Sequence, residues 1–186
     1  PLLAGHAWFE YALKTLSEAL NHSALFSIQT NLWALDQEYV DLFARYRVQI
    51  STSLDGDRET TDSQRGEGYF NQTMRGVKLL MENGIAVSAI ATVTPYTIDR
   101  IPEMISFFRS LDIPFSLRGA VASLERGRNE YSISSADNER IYQKLFDFSL
   151  TLSNEARCTE AQTVVKCALR EKSELCTFSN CLGQYV

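Results

Sequence analysis

The chain's candidate chemistry sits in a few short stretches. Thr30 and Asn31 lie in QTN (29–31), Ser53 in ISTSLDG (50–56), and Arg65 in the polar run that follows. A guanidinium such as that of Arg65 grips a carboxylate or phosphate as a two-pronged fork. The Ser53 and Thr30 hydroxyls can bond to a sugar hydroxyl or a carboxylate. Near the other end, Cys176-x-x-x-x-Cys181 offers two thiolates to a metal, which is half of a tetrahedral set. Plainer readings stand beside these. A Ser or Asp at a strand end is commonly a turn former or helix cap. A loop arginine is commonly solvated or paired with a nearby carboxylate, here Asp62. Free cysteines are commonly small buried hydrophobes.

The surrounding pattern says what must position these groups. Apolar runs alternate with amphipathic segments. Helices are predicted over Ala7–Leu20 (Phe9, Leu13, Leu16, Leu20 inward), Asp36–Tyr46 with Asp36 as N-cap, and Asn71–Asn83 (Met74, Val77, Leu80, Met81 inward, Gly84 as stop). Two more follow at Ile98–Leu111, with Pro102 in its first turns, and at Ser135–Leu152. Strands are predicted at Ala24–Thr30, Val48–Leu54, Ile85–Thr94 and Pro114–Val121. Strands alternating with helices imply an α/β fold with parallel strands and right-handed crossovers, either an open doubly wound sheet or part of a barrel. In both, ligands collect at the carboxyl ends of the strands. Residues 29–31, 53–56, 92–94 and 117–119 are those ends. Between the second strand and the third helix, residues 55–68 read as a polar loop in which Asp55, Gly56, Gly66 and Gly68 bend the chain.

Composition narrows the classes. The 186 residues are 45% hydrophobic with a formal net charge of −5, which suits one globular domain and argues against a general nucleic-acid binder. No apolar run approaches the length of a membrane span, and no signal peptide is visible, so a cytoplasmic protein is expected. A phosphate loop, a dinucleotide fingerprint and a serine-hydrolase elbow are all missing. Cys158, Cys167, Cys176 and Cys181 all follow residue 157, far from His6 and His22. A mixed Cys/His zinc site has little to work with. Disulfides, free thiols and metal ligation remain open, the last two favoured without a secretory signal. The alternating rhythm stops near Glu155, and a domain boundary is expected there, separating 1–154 from 155–186. The chain opens at Pro1-Leu2-Leu3 and stops at Tyr185-Val186 in a strand-like segment, so a piece of a longer protein is expected.

Taken in order, QTN, ISTSLDG, D-x-x-R (62–65), G-x-G-x-F (66–70) and MRGVKLL (74–80) resemble the radical S-adenosylmethionine (SAM) enzymes. The resemblance is to their SPASM branch, which includes the anaerobic sulfatase-maturating enzymes and peptide-modifying relatives. It covers nearly the whole chain and is strongest from Ser27 to Val93. It implies a partial (β/α)6 barrel of which the chain holds the last four strands. The three-cysteine loop for the SAM-cleaving [4Fe-4S] cluster and the Gly-Gly-Glu that grips the methionine amine would precede Pro1. Ser53 matches the family's polar SAM contact, and Arg65, twelve positions later, the arginine for its carboxylate. Thr30 and Asn31 would line the same cavity. Thr61 stands where relatives usually carry His. Cys176 and Cys181 resemble the first ligands of an auxiliary [4Fe-4S] cluster, making 155–186 a linker and the start of a SPASM-like domain.

The implied activity is cleavage of SAM to a 5′-deoxyadenosyl radical that modifies a protein or peptide side chain, for example sulfatase Cys or Ser maturation to formylglycine. A sulfatase-like substrate and a reductant such as flavodoxin or ferredoxin are the implied partners, with no nucleic acid and no membrane. This chain alone would be catalytically silent. Two alternatives are a non-catalytic regulator or binding module on the same barrel, and an ordinary α/β enzyme holding a phosphate ligand at the strand ends.

Overall fold

The computed structural model describes residues 2–121, 127 and 129–149. Four strands form one sheet in the order β1-β2-β3-β4: β1 Ser27–Thr30, β2 Gln49–Ser53, β3 Val87–Val93 and β4 Phe115–Gly119. All neighbours are parallel, with Thr30 opposite Thr52, Ser53 opposite Ile90, and Thr92 opposite Arg118. The strand order equals the chain order. With right-handed crossovers, every connecting helix then falls on the same side of the sheet. A doubly wound sheet instead reverses its order at a switch point. Of the two expected architectures, the arc of a barrel is the one observed.

Burial follows. β3 alternates strictly, with Val87, Ala89, Ala91 and Val93 buried and Ser88, Ile90 and Thr92 between them only partly covered. The register extends this to two faces. The helix-covered face carries Ile50, Thr52, Phe115 and Leu117; the other carries Ser51, Ser53, Ser88, Thr92 and Ser116. Sheets buried on both sides read as continuous apolar runs. Here only one face is packed by the described helices.

The helices that pack it are α1 His6–Ala19, α2 Gln37–Tyr46, α3 Arg58–Arg65, α4 Tyr69–Glu82, α5 Ile101–Ser110 and α6 Ser135–Ser149. Asp36 caps α2 as expected, its side chain accepting from Tyr39 N at 3.1 Å. Gly84, with φ 70°, ends α4 as expected, and Ile85 N donates back to Leu80 O at 2.9 Å. α6 begins with a reciprocal box: Ser134 N donates to Asp137 Oδ2 at 3.0 Å, and Asp137 N to Ser134 Oγ at 3.1 Å. The core runs through Phe43, Leu80, Ile101, Ile105 and Phe108, with Phe108 stacked on Phe115 at 4.8 Å. Each such buried side chain contributes roughly 1.5–3 kcal/mol.

Four expectations change. The supposed loop at 55–68 contains α3, a helix of almost no apolar content whose Asp57 cap accepts from Thr60 N at 2.9 Å. Leu16 and Leu20 are 51% and 52% exposed, because the α1 stripe reaches its neighbour α2 at Phe9 and Leu13, where Phe9 meets Tyr39 and Phe43 edge-on. Met81 is 46% exposed on α4, beside the fully buried Leu80. The helix predicted to begin at Ile98 starts as a 3-10 turn over Ile98–Arg100, and α5 follows with Pro102 near its start. The expected boundary near 155, the inward Leu152, and Cys158, Cys167, Cys176 and Cys181 lie outside the described residues.

Candidate functional site

The carboxyl ends of β1 and β2 open into a cleft of about 480 Å³ lined by Leu2, Gln29, Thr30, Asn31, Trp33 and Ser53. Three of the expected ligand residues, Thr30, Asn31 and Ser53, are therefore brought together. They do not have equal standing. Ser53 points to the half-open face and its Oγ accepts from Gln29 Nε2 at 3.1 Å. Thr30 belongs by alternation to the helix side, is 5% exposed, and its Oγ1 accepts from Leu32 N at 3.3 Å. Gln29, not singled out from the sequence, holds the inner-face position on β1. Period-two counting from the buried positions was the signal that could have found it.

The loop after β1 is held from below. Asn31 Oδ1 accepts from Trp33 N at 3.2 Å, and the Asn31 carbonyl accepts from Thr73 Oγ1 at 3.4 Å. Leu32 adopts φ 63° and is completely buried. It lies so close to α4 that a Cβ on Gly76 would stand 2.5 Å from its own Cβ. The glycine of MRGVKLL is thus a contact requirement. It lets the β1 loop sit down on the helix and fixes the rim.

Arg65 does not line that cleft. It closes a second arrangement at the ends of β2 and β3. Asp55 is fully buried, and its carboxylate accepts from Arg65 Nε at 2.5 Å, from Arg65 Nη2 at 2.9 Å and from Thr92 N at 2.7 Å. Asp55 was read as a turn residue; it is the anchor of this rim. Leu54 N donates to Ile90 O at 3.2 Å, and one step on, where β2 leaves the sheet, the Asp55 carboxylate receives the Thr92 amide in place of a strand carbonyl. Arg65 Nη2 also reaches Thr92 Oγ1 at 3.4 Å, and the guanidinium stands 5.3 Å from the Tyr69 ring. Burial works to lower the Arg65 pKa, but the hydrogen bond and charge of Asp55 outweigh it and hold the group above its ordinary value. Arg65 is a fixed cation.

The neighbours complete the turn. Gly56, Gly66 and Gly68 all have positive φ, the bends expected of them. Thr61, also buried, accepts from Asp55 N at 3.2 Å and donates to Gly56 O at 3.1 Å. Asp62 does not pair with Arg65; its Oδ1 accepts from Phe70 N at 2.8 Å. Gln64 Nε2 donates to Thr92 O at 3.2 Å, leaving its buried Oε1 without a partner. Below, Arg100 bridges Asp57 at 2.8 Å and Glu59 at 2.9 Å, tying α3 to the start of α5. Among the described residues no cluster of His, Cys, Asp and Glu can hold a metal ion, and no helix is long and apolar enough to cross a membrane.

A hydroxyl-and-amide cleft beside a charged arginine can hold a polar, partly anionic molecule. Its volume falls within the roughly 300–1,000 Å³ of small-molecule sites. Comparisons with known proteins agree in kind. The sequence profile of the radical SAM superfamily matches residues 4–108. An uncharacterized protein of Methanothermobacter thermautotrophicus is 40% identical over 149 residues, covering 79% of this chain and 57% of its own. A cysteine-type anaerobic sulfatase-maturating enzyme of Clostridium novyi is 27% identical over 136 residues, covering 68% of this chain and 36% of its own. The solved structure of anSMEcpe with bound AdoMet and the Kp18Cys peptide superposes with a TM-score of 0.77 at 22% identity, covering 95% of this chain and 52% of that one. That likeness bears on the fold and makes the four-stranded arc a partial barrel. The chain spans little more than half, or less, of each of these proteins.

Proposed function

The chain belongs to the radical SAM superfamily, and from that premise we propose that it is the central part of an enzyme that modifies a protein or peptide side chain. The carrying observation is the polar face of the sheet ending in the cleft at Gln29, Thr30, Asn31 and Ser53. When bound, SAM and a reduced [4Fe-4S] cluster supply a 5′-deoxyadenosyl radical able to take a hydrogen atom from the substrate. The rest is the work of this chain's own groups. Ser53, oriented by Gln29, gives a hydroxyl to the amino-acid end of SAM. Thr30 and Asn31 shape the neighbouring wall. Asp55 engages the Nε–Nη2 edge of Arg65, and the guanidinium meets the SAM carboxylate with its other edge. The helix-covered side excludes water from the sheet.

The donor set fits SAM: hydroxyls, amides and one fixed cation for a zwitterionic ligand. The described residues supply no ligand for a cluster. Cys176 and Cys181 are proposed as the first ligands of an auxiliary cluster, with the cysteines for the SAM-cleaving cluster supplied upstream of Pro1. The sulfatase-maturating relatives, cysteine-type and serine-type, support a Cys or Ser side chain of a sulfatase-like protein as substrate. A flavodoxin or ferredoxin is proposed as electron donor, in a cytoplasmic setting. The test is SAM affinity of the complete, cluster-loaded protein. Ser53→Ala with Arg65→Ala is expected to weaken SAM binding by at least tenfold, about 1.4 kcal/mol or more. Unchanged affinity removes these residues from the site.

A further inference from the structure

We propose that Asp55 is the positioning residue that sets Arg65 for the SAM carboxylate, rather than a turn former. The inference rests on the reading above that Arg65 binds that carboxylate.

The geometry carries it. The Asp55 side chain is 1% exposed and that of Arg65 23%, so the pair has an inner, sealed member and an outer, reachable one. Asp55 takes two guanidinium nitrogens, Nε and Nη2, and a planar fork gripped at two points cannot swing. Asp55 is itself fixed by Thr92 N at 2.7 Å, and its own amide donates to Thr61 Oγ1 at 3.2 Å. One carboxylate thus ties the end of β2, the end of β3 and the last residue of α3 into one frame. Thr92 lies on the same face of the sheet as Ser53, and its Oγ1 accepts from Arg65 Nη2 at 3.4 Å. The guanidinium is therefore held over the polar face, where the ligand's charged end is expected. An arginine needed only to brace the fold would be served by either of its two edges. Asp55 takes Nε and Nη2, so the pair leaves Nη1 outside its own grip, on a guanidinium that also bonds to the Tyr69 side chain.

The test measures binding of SAM and of decarboxylated SAM, which keeps the amine and lacks the carboxylate, to the complete protein with its clusters loaded. Asp55→Asn keeps the shape and an oxygen for Thr92 N but lets the guanidinium loosen. Expected is a loss of SAM affinity of about tenfold, the size of one charged hydrogen bond, with less than a twofold change for decarboxylated SAM. In an Arg65→Met background, Asp55→Asn adds nothing further, because the two act in series. Asp55→Glu, which keeps the charge and shifts the fork by one methylene, produces the same carboxylate-specific loss and serves if Asp55→Asn does not fold. Equal loss for both ligands, or none for SAM while Arg65→Met weakens it, overturns the inference. Arg65→Met leaving SAM affinity unchanged overturns the Arg65 assignment beneath it.

Discussion

The two faces of the sheet obey opposite rules. On the helix side, Ile50, Ala89, Ala91, Val93 and Phe115 are nearly inaccessible and touch Leu80, Ile105 and Phe108 in one continuous core. On the other, Ser51, Ser53, Ser88, Thr92 and Ser116 are only partly covered, and two give their hydroxyls to the adjacent strand: Ser51 Oγ to Ile28 O at 3.2 Å, Ser88 Oγ to Ile50 O at 3.3 Å. The same strands thus hold the packed core on one side and, on the other, the polar groups proposed for the ligand. The alternation of single residues keeps the two apart.

That separation can be broken, and the heaviest blow falls on the helix side. Phe108→Ala removes a fully buried ring stacked on Phe115 and is expected to cost about 3–5 kcal/mol in urea unfolding. A loss below about 1 kcal/mol would show that this face is not the core. Gly76→Ala forces a Cβ against Leu32 and is expected to cost about 1–3 kcal/mol, with the rim at Asn31 displaced. Asp57→Ala deletes the α3 cap and is expected to cost about 1 kcal/mol. Burial pushes the Asp57 carboxyl up, but the Thr60 hydrogen bonds and Arg100 outweigh this and hold it below its ordinary 3.8. Its contribution is therefore complete above 3.8 and lost as pH falls through the lower folded value. Urea midpoints followed into that acid range should show the step in the native protein and not in Asp57→Ala. Smallest of all, Ser53→Ala is expected to change stability by no more than about 0.5 kcal/mol while weakening SAM binding. A large stability loss there would erase the distinction between the faces.

The alternating rhythm was legible in the sequence because each strand is bounded by turn chemistry and each long helix carries an apolar stripe. The same pattern put Ser53 at the carboxyl end of its strand, where the cleft lies. α3 was not legible: RETTDSQR has no apolar side chain, and the helix stands on Asp57, Arg100 and the two buried threonines Thr60 and Thr61. Leu16, Leu20 and Met81 have the period of inward residues without a neighbour to receive them, which periodicity cannot report. Asp55 was misjudged for a related reason. A strand-end aspartate followed by glycine has the local signature of a turn, and its partners Arg65 and Thr92 lie ten and thirty-seven residues away. Only its parity with Ser51 and Ser53 pointed inward.

The Thr92 amide, received by a side chain instead of by the neighbouring strand, gives the molecule an internal gauge. Its hydrogen exchange reports a single carboxylate rather than the breathing of a ladder. In Asp55→Asn, slow exchange at that one position would mean that the frame survives and only the grip on Arg65 is lost. Fast exchange would mean that the two strand ends have come apart. One proton thus separates a change in aim from a change in architecture.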